Sequence, residues 1–244
     1  MKKILEAVQQ TRRNIVYKLR GKIPCTPGAI TETDLTEAIG REDPLILEIG
    51  CNDGSHSEWF LNLFPGIELH CFEPDPRAIK KFRDRIANQQ AAVHCLAISD
   101  HDGEIDFHMS DGLPPGVSAE DYPEGWDCSG SIRQPKQHLE SKPWCTFDRT
   151  ISVATQTLDS WCEANGLADR TIDFIWADVQ GAEIDLIRGA QKSLQRCRFF
   201  YTEYNNREMY EGQAQLKALL AELPDFEVIH RYADDAFLKN ELLE

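Results

Sequence analysis

Residues 45–54 read Leu-Ile-Leu-Glu-Ile-Gly-Cys-Asn-Asp-Gly, and this stretch decides the fold. A short apolar run, typical of a buried β-strand, is followed by a turn that contains Gly50 and Gly54. Ser55 and Glu58 then have the spacing of a capping box, which predicts that a helix begins here. A strand, a glycine turn and a helix N-terminus in this order predict the ligand-binding crevice of an open α/β sheet.

A second acidic position supports this reading. Glu73 follows the apolar run Ile67–Phe72, which we interpret as the next strand. An acidic residue at the end of that strand suits a ribose, because one carboxylate can accept hydrogen bonds from both ribose hydroxyls.

The spacing of the glycines separates two classes of cofactor. A dinucleotide-binding turn carries G-x-G-x-x-G beneath a pyrophosphate, whereas this turn reads G-x-x-x-G and contains Glu48 and Asp53. Carboxylates repel a pyrophosphate, but they suit the ammonium and sulfonium groups of S-adenosylmethionine. We therefore expect this cofactor, with two further contacts from the end of the third strand at its adenine end. The expected cofactor-binding residues are Glu48, Gly50, Asn52, Asp53, Gly54, Glu73, Ser99 and Asp100.

The chain resembles the FkbM-type, class I S-adenosylmethionine-dependent methyltransferases from about residue 44 to about residue 205. The segments that carry the resemblance are Glu48–Gly54, Phe72–Pro74, Thr157–Asp159 and Ile172–Glu183. The last segment contains D-V-x-G-A-E and is the most specific. It departs from the family at Gln180, where many members carry Glu, so any catalytic role of that Glu is in doubt here. The resemblance implies O-methylation of sugars or of hydroxyl groups on natural products.

Composition narrows the class of protein. The 244 residues carry a net charge of −15, which argues against a nucleic-acid substrate because phosphate backbones attract basic surfaces. The eight cysteines form no C-x-x-C pair and indicate reduced thiols in a cytoplasmic protein. No apolar run is long enough for a transmembrane helix, and no signal peptide is visible.

The N-terminal segment differs from the rest of the chain. Residues 1–22 contain seven basic residues against Glu6 alone, and their apolar positions recur with the period of an amphipathic helix. We expect a helical arm over residues 1–43 and a methyltransferase domain over residues 44–244. The helix is expected to pack on the domain or on a second subunit, as in a homo-oligomer. Contact with a membrane surface or an acidic partner is the alternative.

The remaining chain alternates strand-like and helix-like segments. This pattern predicts an α/β fold with a Rossmann-like, doubly wound, mostly parallel sheet and helices on both faces. Val93–Ile98 is expected to be the third strand, and the segments Phe226–Ile229 and Ala236–Leu238 are expected to form a C-terminal antiparallel pair.

Residues 110–150 are rich in proline and glycine and show little periodicity. A long irregular insertion in an enzyme is typical of an active-site lid, whereas a disordered spacer would leave large aromatic side chains exposed. We expect this loop to close over the site with Trp126 or Trp144 near the acceptor. Tyr204 and Asn205, which follow a later strand, are the other expected substrate contacts.

Methyl transfer to a hydroxyl also requires a group that accepts the hydroxyl proton. Asp178 and Glu203 are the expected catalytic residues, because each ends a predicted strand at the same edge of the sheet. An alternative role for Asp178 is to cap the turn before Gly181. The alternative for Glu183 is that it is a first-turn helix residue whose negative charge is stabilised by the helix dipole. Further candidates are His56, His108 and His138. A divalent metal is an alternative that the ligand spacing does not favour, since no H-x-x-x-H motif occurs.

The sequence therefore predicts an S-adenosylmethionine-dependent O-methyltransferase acting on a saccharide, a glycoconjugate or a related small metabolite. Two other classes stay open at this point. A non-catalytic cofactor-binding or assembly protein would share the crevice. A nucleotide-sugar oxidoreductase would share the fold but normally requires Y-x-x-x-K, and no tyrosine here has a lysine four residues later.

Overall fold

The structure is a computed structural model that describes residues 25–87 and 91–243. These residues form a seven-stranded sheet in the order β3-β2-β1-β7-β8-β10-β9 and a three-stranded sheet in the order β4-β6-β5. In the larger sheet the neighbouring pairs from β3 to β8 are parallel, and β10 is antiparallel to both β8 and β9. The prediction of a doubly wound, mostly parallel sheet with a C-terminal antiparallel pair is confirmed.

The elements follow one another along the chain as strands alternating with short helices. The helices are α1 (Glu32–Ile39), α2 (Ser55–Leu63), α3 (Pro76–Arg85), α4 (Gln137–Ser141), α5 (Leu158–Ala164), α6 (Glu183–Gly189), α7 (Gln191–Gln195) and α8 (Leu216–Ala221). The strands are β1 (Leu45–Ile49), β2 (Glu68–Phe72), β3 (Ala91–His94), β4 (Ala97–Ile98), β5 (Gly103–Gly112), β6 (Cys145–Gln156), β7 (Ile172–Ala177), β8 (Cys197–Glu203), β9 (Phe226–Arg231) and β10 (Asp235–Asn240).

Both faces of the larger sheet are buried, as expected when helices cover a parallel sheet. Each residue of β1 and β7 is buried, and all of them except Glu48 and Asp173 are apolar. One face packs Leu47, Ile175 and Phe200 with α5, α6 and α7, and the other packs Ile46 and Phe174 with α1, α2 and α3. The sheet is therefore a rigid support for the turns at its carboxyl edge.

The helix α1 lies within the segment expected to be an arm. Its N-cap Thr31 forms a capping box with Asp34, and its buried residues Leu35 and Ile39 belong to the core beneath the sheet. The basic helix over residues 1–22 lies outside the described residues, so its packing and any role in a homo-oligomer stay predictions. No helix of the described ranges has the length and apolar character needed to cross a membrane.

Two local predictions were wrong. Val93–Ile98 is not one strand: β3 ends at His94 in the larger sheet, and β4 pairs with Thr155 and Gln156 of β6 in the smaller sheet. The expected capping box at Ser55 does not form either. Gly54 is the N-cap of α2 at a φ of 81°, and it lies against Phe82, where a Cβ would be only 2.8 Å from the ring.

The turn after β1 is pressed against the turn after β7. Gly50 has a φ of 87°, and a Cβ at this position would lie 1.9 Å from the carbonyl oxygen of Asp178. The Asp178 backbone N–H also donates to the carbonyl of Ile49 at 2.9 Å. The turn therefore requires a glycine for two reasons, its backbone conformation and the close approach of a second chain segment.

We predict that Gly50→Ala destabilises the protein by more than about 2 kcal/mol, since left-handed strain is combined with a backbone clash. Gly166→Ala is the matched control, because Gly166 has a φ of 73° and open space around its Cβ position. It should cost about 1 kcal/mol or less. Urea unfolding of both variants measures the difference, and equal destabilisation would show that the contact with Asp178 contributes nothing.

Candidate functional site

A cavity of about 220 Å³ opens at the carboxyl ends of β1, β2 and β7. Ligands of open α/β sheets bind at this edge, where loops from several strands converge. The turns after the three strands, the start of β4 and a part of the 110–150 insertion contribute the lining. The lining residues are Ile49, Gly50, Cys51, Asn52, Ser55, His56, Phe72, Glu73, Pro74, Leu96, Ala97, Ile98, Phe107, Asp127, Cys128, Gly130, Ser131, Ile132, Asp178, Val179, Gln180 and Ala182.

Glu73 is held firmly in the wall of this cavity. Its Oε2 accepts a hydrogen bond from the backbone N–H of Asn52 at 2.9 Å, and its Oε1 accepts one from the backbone N–H of Asp75 at 2.8 Å. The side chain is 6 % exposed, and burial raises its pKa to about 8. In its ionised form each oxygen retains a lone pair, so the Glu73 carboxylate can then accept hydrogen bonds from both hydroxyls of a ribose.

The cavity has an apolar end beside Glu73. Phe72, Leu96, Ile98 and Phe107 line this end, which suits a flat, weakly polar base such as adenine. Ser99 and Asp100, which we expected there, lie outside the lining: Ser99 is buried, and Asp100 accepts a hydrogen bond from His101 at 2.8 Å. Residues 96–98, just before them, occupy the position instead.

Two acidic residues of the glycine turn also lie outside the cavity lining. Glu48 is fully buried under the turn, where Ser57 and Cys71 donate to its Oε2, and burial raises its pKa well above the usual range. Asp53 forms an ion pair with Arg85 at 2.6 Å on the outer side of the turn. In this arrangement Glu48 and Asp53 shape the turn, and direct contact with the cofactor stays a prediction.

The insertion contributes a wall of the cavity through residues 127–132, which sequence reasoning did not single out. The Asn52 side chain donates to the carbonyl of Asp127 at 3.1 Å, and Ser131 Oγ donates to the carbonyl of Gln180 at 2.7 Å. Lys81 forms an ion pair with Asp127 at 2.6 Å. The small residues in the run Asp127–Ser131 were the available signal, because they permit a close approach of backbone to a ligand.

The aromatic residues expected to contact the substrate do not reach this cavity. Trp126 and Trp144 pack edge to face against each other with ring centroids 5.4 Å apart. Tyr204 is 1 % exposed and donates its hydroxyl to the carbonyl of Tyr232, while Asn205 accepts a hydrogen bond from the backbone N–H of Arg207. Their role toward an acceptor, and the closing movement of the loop, stay predictions.

The two expected catalytic carboxylates are brought together by a glutamine. Gln180 has a φ of 50°, and its Nε2 donates to Asp178 at 2.6 Å and to Glu203 at 3.0 Å. Its Oε1 is 3.2 Å from the hydroxyl of Tyr210. Asp178 lines the cavity, whereas Glu203 lies behind the glutamine, outside the lining. Burial and the charge of Asp178 raise the pKa of Glu203 well above its usual range.

Glu183 lies behind the same rim. It is 1 % exposed, its Oε1 accepts from the backbone N–H of Gly181 at 3.0 Å, and burial raises its pKa to about 7. Within residues 25–87 and 91–243 no group of three or more His, Cys, Asp or Glu side chains has the arrangement of a metal site. The Gln180 amide joins Asp178 and Glu203 through hydrogen bonds.

The three histidines have different positions. His56 lines the cavity and packs on Trp176 with ring centroids 4.5 Å apart. His108 bonds to Thr150 within the smaller sheet, and His138 is buried against Phe147 and Tyr210. Only His56 shares the cavity with Asp178.

Comparison with known proteins decides the family. The model of the methyltransferase FkbM domain matches residues 48–233 of this chain. The chain belongs to the FkbM methyltransferase family. It is an S-adenosylmethionine-dependent methyltransferase, and the two alternative classes, a non-catalytic binding protein and an oxidoreductase, are set aside.

This FkbM methyltransferase is 43 % identical over 242 residues to the 2-O-methyltransferase NoeI of Sinorhizobium fredii (strain NBRC 101917 / NGR234). The alignment covers 97 % of this chain and 95 % of that protein. Among solved structures, an rRNA methylase from Streptococcus thermophilus has a TM-score of 0.45 at 9 % identity, covering 86 % of this chain and 93 % of that chain. Fibrillarin of Aeropyrum pernix with bound S-adenosyl-L-methionine has a TM-score of 0.40 at 12 % identity, and the match covers 82 % of this chain and 66 % of that chain. Both structural likenesses are too distant to bear on the substrate.

The side chains of the cavity fit S-adenosylmethionine. Glu73 presents hydrogen-bond acceptors of the kind a ribose diol needs, and the apolar end accommodates a base. Gly50 leaves no side chain between the turn and the cavity, and Asp178 places a carboxylate near the other end, where a sulfonium charge is favoured. Gly50, Asn52 and Glu73 would hold the cofactor.

We predict that Glu73→Ala weakens binding of S-adenosylhomocysteine by about 1–3 kcal/mol, because ribose hydroxyls would lose their buried acceptor. Glu104→Ala is the control, since Glu104 is an exposed residue of β5 outside the cavity lining. Isothermal titration calorimetry measures both affinities. An unchanged affinity in Glu73→Ala would remove Glu73 from the cofactor site.

The buried carboxyls also predict a pH dependence of stability. The pKa of Glu73 is raised to about 8 and that of Glu183 to about 7, whereas an unfolded glutamate titrates near 4.5. The folded protein therefore holds protons that the unfolded chain has lost, and the free energy of unfolding falls as pH rises toward 8. Histidines with lowered pKa act in the opposite direction only below about 6.5.

Between pH 6.5 and 8 the cofactor-free protein should thus lose stability, by on the order of 1 kcal/mol for each such carboxyl. Glu73→Gln, which imitates the protonated side chain, should reduce this loss. Urea unfolding at both pH values measures it. Stability that rises over this interval would contradict the assignment of protons to the buried carboxyls.

Proposed function

We propose that this protein transfers the methyl group of S-adenosylmethionine to a hydroxyl of a saccharide or glycoconjugate, at position 2 of a sugar ring. The observation that carries the proposal is the 43 % identity, over nearly the full length of both chains, to a protein named as a 2-O-methyltransferase. The acidic chain and the polar rim of the cavity are consistent with a neutral, hydroxyl-rich acceptor.

The acceptor end of the cavity is the end opposite Phe72 and Glu73. His56 and Asp178 lie there, together with Gln180, which fixes the Asp178 carboxylate by a 2.6 Å hydrogen bond. Bound S-adenosylmethionine supplies an electrophilic methyl group on a positively charged sulfur. The protein must align an acceptor oxygen with that methyl group, exclude water and take up the hydroxyl proton.

The wall formed by residues 127–132 is suited to excluding water. It is fastened on one side to Asn52 in the glycine turn and on the other to Gln180 beside Asp178. Arg133, which follows it, forms two hydrogen bonds with Asp185 at 2.8 Å each. This wall bridges the two ends of the cavity, so cofactor and acceptor would share one enclosed space.

The position of methylation can be tested with deoxy sugars. The protein is incubated with methyl-labelled S-adenosylmethionine and methyl glycosides of common hexoses and 6-deoxyhexoses, each compared with its 2-deoxy and 3-deoxy analogue. We expect label in sugars with a free 2-hydroxyl, including the 3-deoxy analogues, and none in the 2-deoxy analogues. Mass spectrometry of the product identifies the methylated oxygen.

Two results would contradict the proposal. Labelling of the 2-deoxy and the parent sugar at similar rates would exclude position 2. Labelling of an amine or a phenolic metabolite, with no sugar accepted as a free glycoside, an oligosaccharide or a glycolipid, would exclude the saccharide class.

A further inference from the structure

His56 lies where an acceptor oxygen would have to approach the cavity. It belongs to the first turn of α2, directly after the glycine turn, and it lines the cavity together with Asp178 from the turn after β7. The residue is exposed, whereas Asp178 is half-buried. His56 is therefore the more accessible of the two groups that can accept a proton at this rim.

The imidazole has a fixed support on one side. Its ring packs on Trp176 with centroids 4.5 Å apart, and Trp176 in turn stacks on Tyr201 at 4.2 Å and 15°. Both supporting rings are buried, at 7 % and 3 % exposure. This contact limits the orientations of His56, which is exposed and lines the cavity.

The charges around His56 come from two carboxylates. Asp178 faces it from the turn after β7 and Asp53 from the turn before α2, and both favour the protonated imidazole. Asp53 is already paired with Arg85, so Asp178 is the carboxylate whose charge is available to His56. In the described part of the chain, neither ring nitrogen of His56 hydrogen-bonds to a protein group, which leaves both for the acceptor and solvent.

We propose that His56 takes the proton of the acceptor hydroxyl during methyl transfer and that Asp178 stabilises the imidazolium that results. The inference rests on the proposed function, because it requires a hydroxyl acceptor. Asp178 is less suited to take the proton itself, since its carboxylate already accepts a short hydrogen bond from Gln180. Desolvation lowers the pKa of His56 below its usual 6.5, so the ring is unprotonated at neutral pH.

The step balances without another reactant. An oxygen lone pair of the acceptor forms the new O–CH₃ bond while the C–S bond breaks, and the pair from that bond stays on sulfur, which becomes a neutral thioether. The hydroxyl O–H bond breaks, its electron pair stays on oxygen, and the proton moves to the unprotonated ring nitrogen of His56. After the methylated product leaves, the imidazolium releases the proton to water.

The first test compares His56→Gln with His230→Gln, a histidine of the edge strand β9 outside the cavity lining. His56→Gln should lower kcat roughly 10²-fold or more, as loss of a general base does, and should change the affinity for S-adenosylhomocysteine less than about threefold. His230→Gln should retain wild-type kcat. In the wild type, kcat should fall as pH drops, with an inflection that lies below the usual histidine pKa of 6.5, and His56→Gln should lose that inflection.

The second test does not depend on turnover. NMR titration of the His56 ring should give a pKa below 6.5 in the wild type and a still lower one in Asp178→Asn, because the carboxylate that favours the imidazolium is gone. Folding of each variant is checked by its affinity for S-adenosylhomocysteine.

The outcomes separate this inference from the proposed function. If the wild type methylates sugars and His56→Gln matches its rate and pH profile, the inference is wrong and the proposed function stands. An unchanged His56 pKa in Asp178→Asn would overturn the pairing whether or not any acceptor is found. If the titration shows the pairing but no hydroxyl compound is methylated, the proposed function fails, and the role of His56 as proton acceptor fails with it.

Discussion

The architecture of this site depends on one close backbone contact. Gly50 lies so near the Asp178 carbonyl that a Cβ would be 1.9 Å from its oxygen, and the same two turns are tied by a hydrogen bond from Asp178 to Ile49. The first turn carries Gly50 and Asn52, which line the cavity and are expected to hold the cofactor, and the second carries Asp178 of the acidic rim. Because β1 and β7 are adjacent parallel strands buried on both faces, the sheet itself enforces this contact.

The second constraint is electrostatic. Asp178 and Glu203 lie at the ends of neighbouring strands. Two ionised carboxyl groups that lie close together repel each other unless a proton, a cation or a hydrogen-bond donor lies between them. Gln180 supplies the donor, because one amide nitrogen reaches both side chains. A glutamate at position 180 would add a third acidic group beside Asp178 and Glu203, and in its ionised form it could not donate to either of them as the amide does. The Gln180 amide therefore holds the two acidic side chains of this rim, and Asp178 lies in the cavity lining.

Much of the fold could be predicted from local sequence. Strand β7 ends at Ala177, directly before Asp178, where the end of a strand was predicted, and Glu73 lies in the cavity wall as the motif spacing indicated. The split between β3 and β4 could not be predicted, because β4 is defined by pairing with β6, which lies more than fifty residues further along the chain. Local sequence also could not show that Gly54, rather than Ser55, is the N-cap of α2, where Gly54 packs closely against Phe82.

The acceptor side was harder to predict than the cofactor side for a physical reason. Trp126 packs on another tryptophan and Tyr204 donates to a backbone carbonyl, so both side chains have partners within the protein. The cavity wall is formed instead by residues 127–132, whose sequence has no helical or strand periodicity. In the sequence, His56 is simply one residue of a predicted helix. Its proposed role depends on its contact with Trp176 and on the charge of Asp178, and both residues are distant from it in the chain. The role of a residue that depends on contacts distant in the chain cannot be predicted from its neighbours in the sequence.

The central claim is that a single cavity holds the cofactor against Glu73 and presents its reactive end to His56 and Asp178. A crystal structure of the protein with S-adenosylhomocysteine tests this most directly. In that structure, ribose hydroxyls should lie within hydrogen-bond distance of both Glu73 oxygens, and the sulfur should lie at the end of the cavity lined by His56 and Asp178. A ribose placed away from Glu73, or a sulfur directed toward Phe72 and Leu96, would contradict it.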